Sequence, residues 1–136
     1  AEFTRDQLHD RLRHFVIESQ EIVPQAAEAL EQENFKRLGR IAERSQEQAE
    51  ALLNNQIPET VFLANEATRL GAKAASSFGP GFGGSVWAMV EEEWAQMFMN
   101  TWRSSYYESF PARDADSQFV TISAGGPAVR VDVAAD

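Results

Sequence analysis

Four of the chain's eight glycines lie within six residues, in the run Gly79-Pro80-Gly81-Phe82-Gly83-Gly84. Glycine accepts positive φ values and has no Cβ that would block a close approach to the backbone. The small residues 74–78 before the run are typical of an extended segment, and residues 85–90 after it are typical of a buried strand. The sequence therefore predicts a β-loop-β unit. Its glycines either close a tight turn or direct their amides toward a bound anion.

Two common phosphate-binding motifs do not fit this loop. A dinucleotide fingerprint requires a helix directly after its glycines, whereas residues 85–90 continue as a strand. A Walker loop ends in Gly-Lys-Ser/Thr, and the corresponding Gly83-Gly84-Ser85 contains no lysine. The loop remains the candidate site, and its candidate residues are Gly79, Gly81, Phe82, Gly83, Gly84 and Ser85.

Hydrophobic periodicity and capping residues predict four helices and four strands. The helices cover about residues 4–30 with a kink before Pro24, 34–53 from the cap Asn34, 57–70 ended by Gly71, and 91–110. The strands cover 74–78, 85–90, 118–123 and 128–133. Tight turns between strands predict an α+β fold, with an antiparallel sheet of about four strands and helices packed on one face. We expect a single domain over residues 1–136.

Composition excludes several classes of function. The chain has 12 Lys plus Arg against 21 Asp plus Glu, a net charge of −9. This charge repels phosphate backbones and argues against a nucleic-acid partner. The chain has no cysteine, which excludes disulfides, thiolate catalysis and Cys–zinc sites. No apolar run approaches ~18 residues, so we expect no membrane span and a cytoplasmic location. The start Ala1-Glu2-Phe3 has no secretory h-region; we expect it to lie inside a longer gene product or to be a cloning scar.

Other candidate residues favour structural roles. His9 and His14 are five apart on a helix, about 140° apart in azimuth, so they cannot share a metal ion and we predict no metal site. The carboxylates 91–93 complement a helix N-terminus. Glu59 is either a charge at a helix start or a residue facing a cleft. Five aromatic residues are either a sugar-stacking platform or core, and their spacing favours the core: Trp87, Trp94, Trp102, Tyr106 and Tyr107.

The segment Gly79-Pro80-Gly81-Phe82-Gly83-Gly84-Ser85-Val86-Trp87 resembles the third signature motif of the GHMP kinases. The order of its surroundings is similar to the C-terminal half of galactokinase: Ser45-Gln46, Asn55-Gln56-Ile57-Pro58-Glu59-Thr60, Gly71-Ala72-Lys73-Ala74-Ala75-Ser76, and Phe119 to Ala128. The resemblance implies the ferredoxin-like C-terminal lobe of a kinase that transfers the γ-phosphoryl group of ATP to a sugar hydroxyl. It also implies that ATP and Mg²⁺ are bound mainly by an N-terminal lobe, which carries the catalytic residues.

The residues themselves agree with an incomplete active site. No carboxylate, His, Lys or Arg lies between Ala74 and Val90, so the loop has no side chain for proton transfer. We predict no catalytic residue in this chain and no activity of the chain alone. Its expected partners are the N-terminal kinase lobe, ATP, the sugar and a second copy of the chain. Pro80 departs from the Gly or Ala of most relatives and has no amide to donate. Two alternatives stay open: a non-catalytic ligand-binding or regulatory module, and a purely structural domain.

Overall fold

A computed structural model describes residues 3–79, 82–123 and Gly125, and these residues form an α+β fold. Helices dominate it, and one antiparallel hairpin lies among them. The α-helices are α1 (Arg5–Ile17), α2 (Val23–Glu31), α3 (Phe35–Gln48), α4 (Pro58–Arg69) and α5 (Ala95–Ser109), and the strands are β1 (Ala74–Phe78) and β2 (Ser85–Met89). Short 3-10 helices cover Glu92–Trp94 and Pro111–Asp116. No helix among the described residues is long and apolar enough to cross a membrane.

The predicted break before Pro24 is a π-helical turn. It covers Glu18–Ile22 and joins α1 directly to α2. Proline has no N–H to donate and crowds the preceding turn, so the regular pattern of helical hydrogen bonds is interrupted there. A second π-helical turn, Ala49–Leu53, follows α3 and ends at Asn54, which has a left-handed backbone with φ of +48°.

The predicted caps of α1, α3 and α4 are confirmed. The Thr4 hydroxyl accepts the Gln7 N–H at 3.2 Å, and the Asn34 side chain accepts the Arg37 N–H at 3.0 Å. These bonds satisfy amides that have no partner inside the helix. At the other end of α4, Gly71 has φ of +96°, the left-handed conformation that glycine adopts at helix ends.

The hairpin pairs Ala74 with Met89 and Phe78 with Ser85, so the glycine loop lies at its open tip. Successive strand residues point to opposite faces. Ala74 packs in a cluster with α3, and Ala75 packs with α4 and α5. Helices therefore cover both faces of the hairpin, where the sequence predicted a one-sided layer. Small side chains in β1 allow this double coverage because helices can approach both faces closely.

The predicted count of about four strands is too high for the described residues. Residues 118–123 belong to no strand, and the predicted strand 128–133 lies outside the described residues. Phe119 anchors the segment 118–123, since its ring contacts the rings of Trp102, Tyr106 and Tyr107. The alternation of apolar and polar residues in 118–123 therefore reflects one side chain, Phe119, packed on α5. It does not reflect hydrogen bonding to a neighbouring strand.

Candidate functional site

The glycine loop has a left-handed backbone at four described positions. The φ values are +81° at Gly79, +59° at Phe82, +111° at Gly83 and +99° at Gly84. Such values are rare for residues with a Cβ, which explains why glycine occupies three of the four positions. Pro80 and the predicted site residue Gly81 lie outside the described residues.

The loop is open to solvent on its outer side. Gly79, Gly84 and Ser85 are exposed, and the Phe82 side chain is 69% exposed. A Cβ added at Gly79 or Gly84 would have no heavy atom within 4 Å among the described residues beyond its chain neighbours. The structure therefore brings five predicted site residues to one tip of the hairpin, where the backbone is accessible to a ligand.

Gly83 forms the inner side of the loop. It is half-buried, and a Cβ placed on it would lie 3.5 Å from the Cδ1 atom of Ile57, the residue before α4. The Phe82 N–H donates to the Asn55 carbonyl oxygen, which fixes the loop against the segment between α3 and α4. The loop is thus packed on one side and open on the other.

A network of side-chain amides supports this contact. The Gln56 Nε2 donates to Asn55 Oδ1 at 3.1 Å, and Gln56 Oε1 accepts from the Thr60 hydroxyl at 2.9 Å. The Ile57 N–H donates to the Thr60 hydroxyl oxygen at 3.2 Å. The first turn of α4 and the segment that contacts Phe82 are therefore held together by one set of hydrogen bonds.

Gln46 connects this network to the hairpin. Its side chain on α3 is buried, with 3% exposed. Its Oε1 accepts the Ser77 N–H at 2.7 Å and the Ser76 hydroxyl at 3.3 Å, while its Nε2 donates to Glu50 at 2.9 Å and to Gln56 at 3.4 Å. Because a buried amide that loses its partners is costly, this arrangement fixes α3 against β1 beside the loop.

The chemistry available at the loop is binding by backbone amides. Residues with a left-handed backbone can turn neighbouring N–H groups to one side, which is a geometry that suits oxyanions. The Phe82 N–H already donates to Asn55, so the other loop amides are the candidates for this role. No ionisable side chain occurs in the described loop residues. The loop can therefore position a phosphate or a similar anion, but it has no group that takes up or releases a proton.

Glu59 is a charge at the start of α4 that forms an ion pair. Its carboxylate accepts from Arg113 Nε at 2.9 Å, and Arg113 Nη2 lies 2.8 Å away. A backbone amide of the helix start and then the Arg113 guanidinium hold the Glu59 pKa below its usual range. The question left open by the sequence is answered in favour of a structural contact, since Glu59 joins α4 to the segment after α5.

The strongest shift of a carboxyl pKa also belongs to a structural contact. Arg69 donates to both oxygens of Glu66 at 2.6 Å, and the Ser105 hydroxyl donates to Glu66 from α5. These hydrogen bonds, chiefly those from Arg69, lower the Glu66 pKa to about 2. Burial, and secondarily the Glu59 charge, raise the pKa of Tyr106 in the same interface. Glu66 and Tyr106 thus lie between α4 and α5 rather than at the loop.

The histidines and the three consecutive glutamates have no metal-binding geometry. His14 Nε2 lies 3.9 Å from Glu18 Oε1. Glu91 forms an ion pair with Lys73 at 2.9 Å. Among the residues that the structure describes, no three His, Asp or Glu side chains form a group that could hold a metal ion.

The five aromatic candidates divide into two groups. Trp102 and Tyr106 are buried, Tyr107 is half-buried, and all three belong to the aromatic cluster of α5, as the spacing favours. The Trp102 indole N–H donates to the Leu63 carbonyl oxygen at 3.0 Å, which satisfies its polar edge. Trp87 and Trp94 are exposed instead, so the core interpretation holds for three of the five residues.

Gln46 and the pair Asn55-Gln56 are site residues that reasoning from the residue pattern missed. Their segments follow the same order as motifs of galactokinase, but the residue pattern predicted no role for them. The available signal was three consecutive amide residues, 54–56, between two apolar helices. Amide side chains bond to nearby backbone and so occur where a helix ends.

The fold and the loop define an α+β domain that presents a glycine-rich backbone loop with no ionisable side chain among its described residues. Comparison with protein families matches residues 26–108 to the family described as GHMP kinases C terminal. The matched segment is more than half of the chain and includes both strands and the glycine loop. The chain therefore belongs to the GHMP kinase family and contains its C-terminal domain. No curated protein matches the chain significantly.

Proposed function

We propose that this chain is the C-terminal lobe of a galactokinase-like sugar kinase. The complete enzyme transfers the γ-phosphoryl group of ATP to a sugar hydroxyl, and the glycine loop shapes the cleft in which phosphate and substrate meet. The observation that supports this role is the run of left-handed, exposed backbone at Gly79, Phe82 and Gly84. The motif order that resembles galactokinase supports the sugar as substrate.

The loop contributes by positioning. Phosphoryl transfer depends mainly on alignment and on the stabilisation of charge at the transferred group. The Ser77 and Phe82 N–H groups donate to Gln46 and Asn55, and these bonds fix the loop before the substrate binds. The remaining loop amides are the preorganised donors in this proposal. A lobe without an acid or base side chain at the site is therefore sufficient for this part of the reaction.

The loop residues fit a phosphate group of ATP. Apart from the adjoining residues, no described heavy atom lies within 4 Å of the positions that a Cβ would occupy at Gly79 and Gly84, which leaves room for phosphate oxygens. Mg²⁺ neutralises the phosphate charge when it is bound. No cluster of carboxylates suited to it occurs in the described part of the chain, so its ligands belong to the N-terminal lobe in this proposal.

The test is an assay of ADP release by the full-length gene product that contains this chain, with MgATP and a panel of hexoses. Turnover with galactose or a close epimer, at about 1–100 s⁻¹ as is usual for kinases, supports the proposal. Turnover with a small non-sugar alcohol and none with a hexose would keep the family and contradict the substrate class. A gene without an upstream nucleotide-binding motif would contradict the assignment as a kinase lobe and favour a ligand-binding module.

A further inference from the structure

Helix α1 presents its apolar side to solvent and its polar side to the protein. At about 100° per residue, Asp10, His14 and Ile17 share one side, and all three are half-buried. Leu8, Leu12 and Phe15 share the opposite side and are exposed, with 63% of Leu12 and 65% of Phe15 accessible. No residue of α1 is buried. A surface helix normally turns its apolar stripe inward, so this stripe is typical of an interface.

Positive charge accompanies the apolar stripe of α1. Arg5 and Arg11 border the stripe, within about 80° of its centre. Within the ranges that the structure describes, neither of them forms an ion pair, although the Arg11 guanidinium lies 4.8 Å from the centre of the Phe3 ring. In a chain with a net charge of −9 this combination is a local exception. It favours an acidic partner surface that also carries apolar side chains.

The start of α5 carries exposed apolar side chains beside acidic ones, which complement the apolar and basic surface of α1. A groove of about 390 Å³ lies there, lined by residues that include Leu70, Lys73, Glu91, Trp94, Met97 and Thr101. The side chains of Trp94 and Met97 are 51% and 58% exposed. Glu92 and Glu93 stand beside them, and neither forms an ion pair with another described residue.

The two surfaces also match in length. Residues 8–15 of α1 span seven helical steps, or about 10 Å. Residues 94–101, from the end of the 3-10 helix into α5, span a similar length. When α1 lies parallel to α5, Leu8 meets Trp94 and Leu12 lies beside Met97. Arg5 then lies near Glu92 and Glu93, so that these unpaired charges gain an opposite charge.

We propose that α1 of one copy of this chain docks in the α5 groove of a second copy. The contact is head-to-tail, because the two surfaces differ and lie on different helices. A pair of copies joined in this way leaves α1 free on one copy and the groove free on the other, so the assembly grows beyond a dimer or closes into a ring. The stripe is small against the roughly 800 Å² per partner of a standard interface, so the association is weak and depends on concentration.

The experiment measures sedimentation velocity of the purified chain between about 10 and about 300 µM, a range suited to weak interfaces. The average mass should rise with concentration and pass that of a dimer. Leu12→Glu and Met97→Glu should each weaken the association at least tenfold, since each puts a carboxylate into an apolar contact. Both positions are exposed, so the fold should tolerate them. Phe15→Ser and Trp94→Ser are a second pair for the same two surfaces.

The decisive sample is a mixture of the two glutamate variants. Leu12→Glu keeps an intact groove and Met97→Glu keeps an intact α1, so the mixture should form a 1:1 complex that grows no further. The control Gln96→Glu adds the same charge on another side of α5 and should associate as the unmodified chain does. A monomer at all concentrations, a mixture that stays monomeric, or unchanged association of Met97→Glu would each overturn the proposal. None of these outcomes depends on whether the chain is part of a sugar kinase.

Discussion

The side-chain oxygen of Gln46 accepts the backbone N–H of Ser77 at 2.7 Å, two residues before the glycine loop. This bond joins α3 to β1, and the same side chain reaches Gln56, which contacts the residue that accepts from Phe82. The position of the loop therefore depends on a buried amide more than 30 residues earlier in the chain. Among the described residues, the direct contacts of Phe82 with Asn55 and of Gly83 with Ile57 hold only the inner side of the loop.

Replacing this amide should loosen the loop and destabilise the chain. Gln46→Ala leaves the Ser77 N–H without its acceptor, at a cost of about 1–3 kcal/mol in the free energy of unfolding. Hydrogen exchange of the Ser77 and Phe82 amides should accelerate together. The matched control is Glu47→Ala, because Glu47 is exposed on the same helix. Equal effects of the two variants in urea unfolding would show that Gln46 has no special role.

Much of the fold could be predicted because its signals are local. The caps Thr4 and Asn34, the disturbance before Pro24 and the left-handed Gly71 all depend on neighbours within a few residues. The β-loop-β unit was equally local, since the glycines lie between two short segments of strand character. These features required no knowledge of the rest of the molecule.

The remaining features depend on contacts that are distant in sequence. Gln46 bonds to residue 77, and Glu59 pairs with Arg113. The role of Gly39 inside α3 also depends on a distant contact, since the carbonyl oxygen of Lys73 occupies the space that its Cβ would need. A sequence pattern gives no information about such partners. The alternation of apolar and polar residues at 118–123 wrongly predicted a strand for the same reason, since Phe119 packs on a helix rather than in a sheet.

Gly39 should be intolerant of any side chain. A methyl group there would collide with the Lys73 carbonyl oxygen and force α3 away from the start of β1. We expect Gly39→Ala to lower the free energy of unfolding by about 1–3 kcal/mol, as overpacking does. The control is Gly125→Ala, where an added Cβ has no neighbour within 4 Å among the residues that the structure describes. Thermal melts of both variants test this, and equal melting temperatures would contradict the close approach of α3 to β1.

The Glu66 ion pair should make stability depend on pH. The folded-state pKa of about 2 lies below the ordinary value of 4.5, so the folded state holds this proton less tightly than the unfolded state. The contribution, up to about 3 kcal/mol, is present above pH 5 and is lost as the pH falls toward 2. Glu66→Gln should thus be less stable than the unmodified chain at pH 7, and this difference should shrink at pH 3.

The control for this pH dependence is Glu108→Gln, because Glu108 is exposed and forms no ion pair with another described residue. Its unfolding free energy should follow that of the unmodified chain at both pH values. A difference between Glu66→Gln and the unmodified chain that stays constant from pH 7 to pH 3 would contradict the assigned pKa.

The chain alone should fold without being a kinase. Two core clusters on the two sides of the hairpin support a cooperative thermal melt. No ionisable side chain lies at the loop, so purified chain with MgATP and hexoses should release no ADP above background. Adding the N-terminal lobe as a separate polypeptide is the positive control. Turnover by the chain alone would show that a catalytic group in this lobe was overlooked.

The most direct test of the account is the kinetics of Gly83→Val in the full-length protein. Gly83 has φ of +111°, and its Cβ position faces Ile57, so a branched side chain strains the backbone by about 1–3 kcal/mol and displaces the loop amides. Loss of preorganised donors predicts a fall in kcat/KM of about 10²–10³ with a folded protein by circular dichroism. Pro80→Ala should change kcat/KM little, because proline has no amide whose loss could weaken phosphate binding. Full activity of folded Gly83→Val would show that the loop is only a turn and would contradict the phosphate-site assignment.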